Sequence, residues 1–142
     1  LIVGAGELLD YCRKKIAKEK LPVKVLGWRN DIERVFAASD IVILTSDNEG
    51  TPLSLIQAGM ANIPVVTTNV GSISEVVLNG HTGIVTSVKV NELADALEKL
   101  SKDSDLRLRL GTNAQKYTKS RFGVQRLVSD HERLYMKLIS NR

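Results

Sequence analysis

A carboxylate, a glycine, a hydroxyl and a proline stand in a row at Glu49-Gly50-Thr51-Pro52, and a side-chain amide follows at Gln57. They lie between a β-branched run, Ile41-Val42-Ile43-Leu44, and a segment of helical composition. In an open parallel sheet, ligands bind in the crevice beyond the carboxyl ends of the strands. A helix that starts there leaves its first N–H groups unpaired at the positive end of its dipole. The amides of Leu53 and Ser54 are therefore expected to hold a phosphate, while Pro52 cannot donate. Gly50 lets a ligand approach the main chain closely. Glu49 can accept two hydroxyl hydrogen bonds, and Gln57, one turn into the helix, shares a face with Leu53 and Ser54. The chemistry this row suits is a phosphate with a hydroxyl-rich group beside it. The plainer account, in which Glu49 only compensates the dipole and Gln57 is a surface amide, fits the residue types equally well.

The elements that must position this row can be read in order. Leu1 to Val3 is a short strand ending at Gly4-Ala5-Gly6, and Glu7 to Lys20 has helical composition with Leu8, Leu9, Cys12 and Ile16 near one stripe. Val23 to Gly27 reads as a second strand and Asp31 to Ala38 as a short helix. The run 41–44 is typical of a buried parallel strand. Thr51 is expected to cap the next helix with Pro52 at its first position. That helix runs to about Ala61, where Asn62 tolerates a left-handed conformation. Pro64 to Thr67 is another buried strand, Ser72 to Glu75 has the spacing of a capping box, and Gly83 to Thr86 is a last strand. Helices are expected over 91–101, 104–119 and 123–139. Strands alternating with helices predict a Rossmann-like α/β domain, a parallel sheet with helices on both faces and a helical C-terminal tail.

Composition narrows the function classes. The 142 residues, 43% apolar and 25% charged, suit one domain over 1–142. The chain opens on a strand already in progress, which suggests a piece of a longer protein. No apolar run is long enough to span a bilayer. Cys12 is the single cysteine, so no internal disulfide is available, which suits a reducing cytosol. The net charge is +4, with the basic residues concentrated towards the two ends. Solvated helix faces account for them most simply; attraction to an anionic membrane or a phosphorylated substrate is the sharper reading. Aromatics make up 4% of the chain and offer no stacking platform, so nucleic acid is not an expected partner.

Several signals carry less. Gly4-Ala5-Gly6 lacks the third glycine of a dinucleotide fingerprint, whose place is taken by Leu9. Asp103-Ser104-Asp105 imitates a metal-binding Asp-x-Asp, but it precedes a helix and reads as a cap. His81 and His131 have no second ligand at metal spacing, and no metal is expected. Trp28 and Arg29 end a strand on the expected ligand side, where they would frame a base, or Trp28 would pack at an interdomain surface.

The stretch from Glu49 to Ala58, followed by Pro64-Val65-Val66, resembles the donor-binding signature of retaining GT-B glycosyltransferases of family 4. Val3-Gly4-Ala5-Gly6, Val25 to Arg29, Asp40 to Ser46, Val70 to Val77, Asn79 to Gly83 and the segments near Arg107, Arg121-Phe122 and Leu134-Tyr135 resemble the family in order and spacing. The resemblance implies the nucleotide-sugar-binding C-terminal domain of a two-domain enzyme. Such an enzyme transfers a sugar from a nucleotide diphosphate sugar to an acceptor hydroxyl with retention, with no cofactor besides that substrate. It implies that Glu49 orients the donor sugar as the catalytic residue. It places Gly50, Thr51, Pro52, Leu53, Ser54, Gln57, Gly4, Gly6, Trp28 and Arg29 around the donor.

This chain departs from the family pattern in three places. Gln57 replaces the glutamate that hydrogen-bonds the ribose; an amide keeps the contact but loses the charge-assisted acceptor. Gly59-Met60 replaces the usual Met-Ala, a change read as repacking. The family's first strand and following helix, with a diphosphate-gripping Arg and Lys, have no counterpart, nor does the acceptor domain. A gap is thus expected between the strands at Leu1 and Ile41, or closure by other strands or another chain. The isolated chain is expected to be inactive, with its own acceptor domain as partner in the full-length protein. The expected place of work is the cytoplasm beside the inner face of the membrane, in bacterial polysaccharide or glycolipid synthesis. The rival readings are a non-catalytic nucleotide-sugar-binding module, a nicotinamide-dependent oxidoreductase half and a sugar epimerase of the same architecture.

Overall fold

The computed structural model describes residues 1–140. The buried strand expected from Pro64 runs Val65–Thr68, and all four of its residues are buried. A strand buried on both faces must have cover on both, as inner strands of parallel sheets do. By strand alternation Val66 faces one side, in a cluster with Leu93, Ala96, Leu100 and Leu110. Val65 faces the other, where a Cβ on Gly83 would come within 2.6 Å of its methyl and within 2.9 Å of Val77.

The elements follow the expected order. They are β1 (Ile2–Val3), α1 (Leu9–Glu19), β2 (Val25–Gly27), α2 (Ile32–Ala37), β3 (Val42–Leu44), α3 (Leu53–Met60), β4 (Val65–Thr68), α4 (Ile73–Val76), β5 (Gly83–Thr86), α5 (Val90–Lys102), α6 (Ser104–Phe122) and α7 (Val124–Ser140). The strands form two parallel sheets, β1-β2 and β3-β4-β5. β1 and β3 are not paired with each other. The chain also divides into two compact units, Leu1–Val35 and a second beginning at Phe36.

In the first unit, Ile2 pairs with Val25 and Val3 with Gly27. Lys20 takes a left-handed conformation at φ 51° and ends α1, while the Leu21 amide donates to the Ile16 carbonyl. In the second unit, β3 pairs with β4 from Val42↔Val65 to Leu44↔Thr67, and β4 with β5 from Val65↔Gly83 to Thr68↔Thr86. Gly111 lets α6 approach closely, since a Cβ there would lie 2.3 Å from the Asn62 carbonyl oxygen. None of the described residues of α7 is buried, and its Leu127, Leu134, Tyr135, Leu138 and Ile139 stand exposed. No described helix is long and apolar enough to cross a membrane.

Helix ends show where local rules held. Asn62 has φ 65°, its amide donates to Gly59 and the Ile63 amide to Ala58, so α3 ends in a Schellman motif. The Asp103 carboxylate accepts from the Leu106 amide at 2.8 Å, capping α6 as its sequence suggests. Two expected caps are corrected. Thr51 does not cap α3: Pro52 occupies the cap position at φ −75°, ψ 92°, no side chain caps, and the helix begins at Leu53. The extended ψ of Pro52 moves the start by one residue, so Thr51 falls too far back. Ser72 precedes α4 as expected, but its side chain makes no cap bond. That helix is a single turn, and the Glu75 amide bonds the Ser72 carbonyl instead.

Candidate functional site

The loop after β3 is held in place by hydroxyl groups. Thr68, 2% exposed at the end of β4, donates its Oγ1 hydrogen to the Ser46 carbonyl at 2.6 Å. Ser46 in turn donates from Oγ to Glu49 Oε1, also at 2.6 Å. Such a short O–H···O⁻ contact belongs to the charge-assisted class. The Glu49 carbonyl accepts from the Ser72 amide at 3.3 Å. Gly71, at φ 50°, packs so closely that a Cβ would lie 1.7 Å from the Glu49 carbonyl oxygen. Glu49 is half-buried, and among the described residues no cation forms an ion pair with it.

Beyond this loop the main chain offers donors. The Pro52 carbonyl takes the amides of Leu55 at 3.1 Å and Ile56 at 3.3 Å. Leu53 and Ser54 precede the first amide with an acceptor inside the helix, so their N–H groups are open. Leu53 is 69% exposed. Gln57 is exposed on the same helix, and its side chain makes no hydrogen bond to a described residue. Gly50 and Thr51 are exposed in the connecting turn, while Pro52 is buried. A carboxylate with a free lone-pair set, two open amides at a helix tip and an unpaired amide side chain one turn on thus belong to one loop-helix unit. It can accept from hydroxyls and donate to an anion.

The other expected site residues belong to the first unit. The Gly4 amide donates to the Gly27 carbonyl at 2.8 Å, and Gly4 has φ 127°, while Gly6 is exposed in the same turn. Trp28 is 79% exposed. Arg29 is held by Asp31, with Nε to Oδ1 at 2.7 Å and Nη2 to Oδ2 at 2.5 Å. That hydrogen-bonded guanidinium keeps the Asp31 carboxyl below its ordinary value. His81 lies in its loop with its carbonyl accepting from the Asn113 side chain at 3.1 Å, and His131 Nδ1 lies 2.8 Å from the Leu127 carbonyl on α7. Separately, a groove of about 650 Å³ opens at the ends of β4 and β5, lined by Asn69, Ser74, Asn79, Thr86 and their neighbours. It includes none of the residues from Glu49 to Gln57.

Sequence reasoning named Ser46 only at the end of a stretch resembling the family and gave Thr68 and Gly71 no role. The usable signals were a serine three residues before the glutamate and a hydroxyl residue closing an otherwise apolar buried strand.

The family model for glycosyl transferases group 1 matches residues 1–117. The chain belongs to this family. The glycosyltransferases it is similar to include N-acetyl-alpha-D-glucosaminyl L-malate synthase of Bacillus anthracis, 30% identical over 98% of this chain and 37% of that protein. Another is the Escherichia coli UDP-Gal:alpha-D-GlcNAc-diphosphoundecaprenol alpha-1,3-galactosyltransferase, 27% identical over 100% of this chain and 38% of that one. The chain spans about two fifths of the length of these relatives. Among solved structures, Anabaena HepE in complex with UDP superposes with a TM-score of 0.83 at 29% identity, covering 97% of this chain and 40% of HepE. HepE has also been solved with UDP-glucose. The GT-B fold expected from the sequence is the fold of these neighbours, and the helical tail is present as α5 to α7.

Proposed function

We propose that the full-length protein transfers a sugar from a nucleotide diphosphate sugar to an acceptor hydroxyl with retention, and that this chain holds the donor. The observation that carries the reading is the pairing of a half-buried, serine-oriented carboxylate at Glu49 with the open amides of Leu53 and Ser54. A diphosphate resting on the helix tip meets preorganised donors where charge develops as the bond to the sugar breaks. Glu49 then accepts from the sugar hydroxyls and sets its orientation, and Gln57 reaches the ribose. Gly50, Thr51 and Pro52 shape the turn. The reading assigns leaving-group stabilisation to main-chain dipoles and uses neither a metal nor a cofactor. The UDP complexes of HepE support a uridine nucleotide, and the relatives named for lipid-linked acceptors support glycolipid or polysaccharide synthesis in the cytoplasm beside the membrane.

Closure of an acceptor domain over the donor completes the site, so the chain alone is proposed to be inactive. The test is calorimetry and turnover with the full-length protein. UDP is expected to bind and NADH is not, and at least one UDP-sugar is expected to be consumed. NADH binding with no UDP binding would end this reading in favour of an oxidoreductase. Gln57 favours a second reading, a nucleotide-sugar-binding module without chemistry. Binding without turnover, restored to turnover by Gln57→Glu, would support it.

A further inference from the structure

We infer that Thr68 and Ser46 are positioning residues that act in series on the Glu49 carboxylate, an inference that rests on the proposed donor-binding role of Glu49. The main-chain ladder between β3 and β4 ends at Leu44↔Thr67. One residue on, Thr68 prolongs it with a side chain, donating at 2.6 Å to the carbonyl of Ser46, twenty-two positions earlier. Further along the loop, the Glu49 carbonyl accepts from the Ser72 amide, so the Thr68 contact fixes the end nearer the strand. Loops not tied to the sheet are mobile, and a carboxylate that must meet sugar hydroxyls gains nothing from mobility.

The tie fixes the Ser46 main chain, and the Ser46 hydroxyl passes the constraint on. At 2.6 Å it takes one lone pair of Glu49 Oε1, leaving Oε2 and the remaining lone pairs for a ligand. A free glutamate has three rotatable bonds and would lose that freedom on binding the donor; here the loss is taken at folding. Thr68 is buried, and both hydroxyl hydrogens are already given, that of Thr68 to the Ser46 carbonyl and that of Ser46 to Glu49. Both act through Glu49.

The test is a kinetic cycle on the full-length protein, using whichever of UDP-glucose, UDP-galactose and UDP-N-acetylglucosamine the wild type consumes. Ser46→Ala is expected to lower kcat/KM for that donor about tenfold, while inhibition by UDP, which has no sugar, stays within twofold of wild type. In the double variant with Glu49→Ala, the loss is expected to equal that of Glu49→Ala alone, because Ser46 has nothing left to orient. Thr68→Val is expected to lower kcat/KM several-fold and Thr68→Ser to restore it, since only the hydroxyl matters. Additive losses from Ser46→Ala and Glu49→Ala, an equal loss of UDP inhibition, or full activity in Ser46→Ala would overturn the inference. So would equal activity of the two Thr68 variants. A wild type that consumes none of the three donors removes the functional reading, and with it this inference; a wild type that consumes one beside an unimpaired Ser46→Ala removes the inference alone.

Discussion

Ser46 Oγ lies 2.6 Å from Glu49 Oε1, three residues apart in one loop, and donates its hydrogen to it. This contact orients one of the two acidic side chains between the end of β3 and the end of α3, the other being Asp47.

Replacing Glu49 with Gln keeps the shape and removes the charge. Hydrogen bonds to charged groups are worth about 1.5–3 kcal/mol, so kcat/KM for a UDP-sugar should fall roughly 10- to 100-fold. UDP binding measured by calorimetry should change little, because the helix-tip amides remain. A matching loss of UDP affinity would place Glu49 on the nucleotide instead of the sugar.

Gly71→Ala should damage both stability and activity. The new methyl would lie 1.7 Å from the Glu49 carbonyl oxygen, and φ 50° disfavours any side chain there. The expected cost is about 1–3 kcal/mol, read from the urea midpoint. Because relief of the clash must displace Glu49, donor turnover should fall even at temperatures where the variant remains folded.

Gln57→Glu should tighten donor binding. An exposed amide with no partner among the described residues becomes a charge-assisted acceptor for ribose hydroxyls. A gain of about 1 kcal/mol corresponds to roughly fivefold in the UDP dissociation constant by calorimetry. A weaker complex would indicate that position 57 meets phosphate, which a carboxylate repels.

Asp31 should titrate below its ordinary value of 3.8, chiefly because its carboxylate accepts hydrogen bonds from Arg29. The folded pKa is depressed, so the pair's stabilisation is fully present above the unfolded value. It is lost as pH falls through the lower, folded value. Carboxyl NMR titration should show the Asp31 midpoint rising towards 3.8 in Arg29→Ala. An unchanged midpoint would show that the contact does not persist in solution. The exposed setting of Arg29 keeps any effect on stability small.

Asp103→Ala should weaken α6 by about 1 kcal/mol, the usual cost of losing an N-cap acceptor. Thermal unfolding is the check.

What could be read in the sequence divides along physical lines. The β-branched runs at Ile41 and Pro64 announced parallel strands at the right places, but only β4 is buried as expected; β3 is half-buried, with Ile43 42% exposed. Asn62 and Asp103 did what their side chains do best at helix ends. Thr51 misled because a good capping residue next to a proline does not reveal the ψ that proline will take. Ser72 misled because the Glu75 amide, which its hydroxyl would have capped, bonds the Ser72 carbonyl instead. In the candidate site, Glu49 and the amides of Leu53 and Ser54 were legible from strand-loop-helix order. Thr68 was not: its partner is twenty-two positions away, a separation no local pattern reports. Gly71 was hidden for the same reason, since its neighbour is the main chain of Glu49.

The seating of α3 on α6 has its own consequence. A Cβ on Gly59 would lie 2.6 Å from the γ-methyl of Thr118, a buried residue of α6. The two positions share one volume, so neither can drift freely through evolution. A larger residue at 59 is tolerable only in a background that has already shed bulk at 118. Homologues that differ at one should differ at the other, and a swap of Gly59→Ala with Thr118→Ala should be less harmful than Gly59→Ala alone. The helix that presents the open amides of Leu53 and Ser54 is therefore held at its depth by a complementary pair, one member of which sits fifty-nine positions downstream.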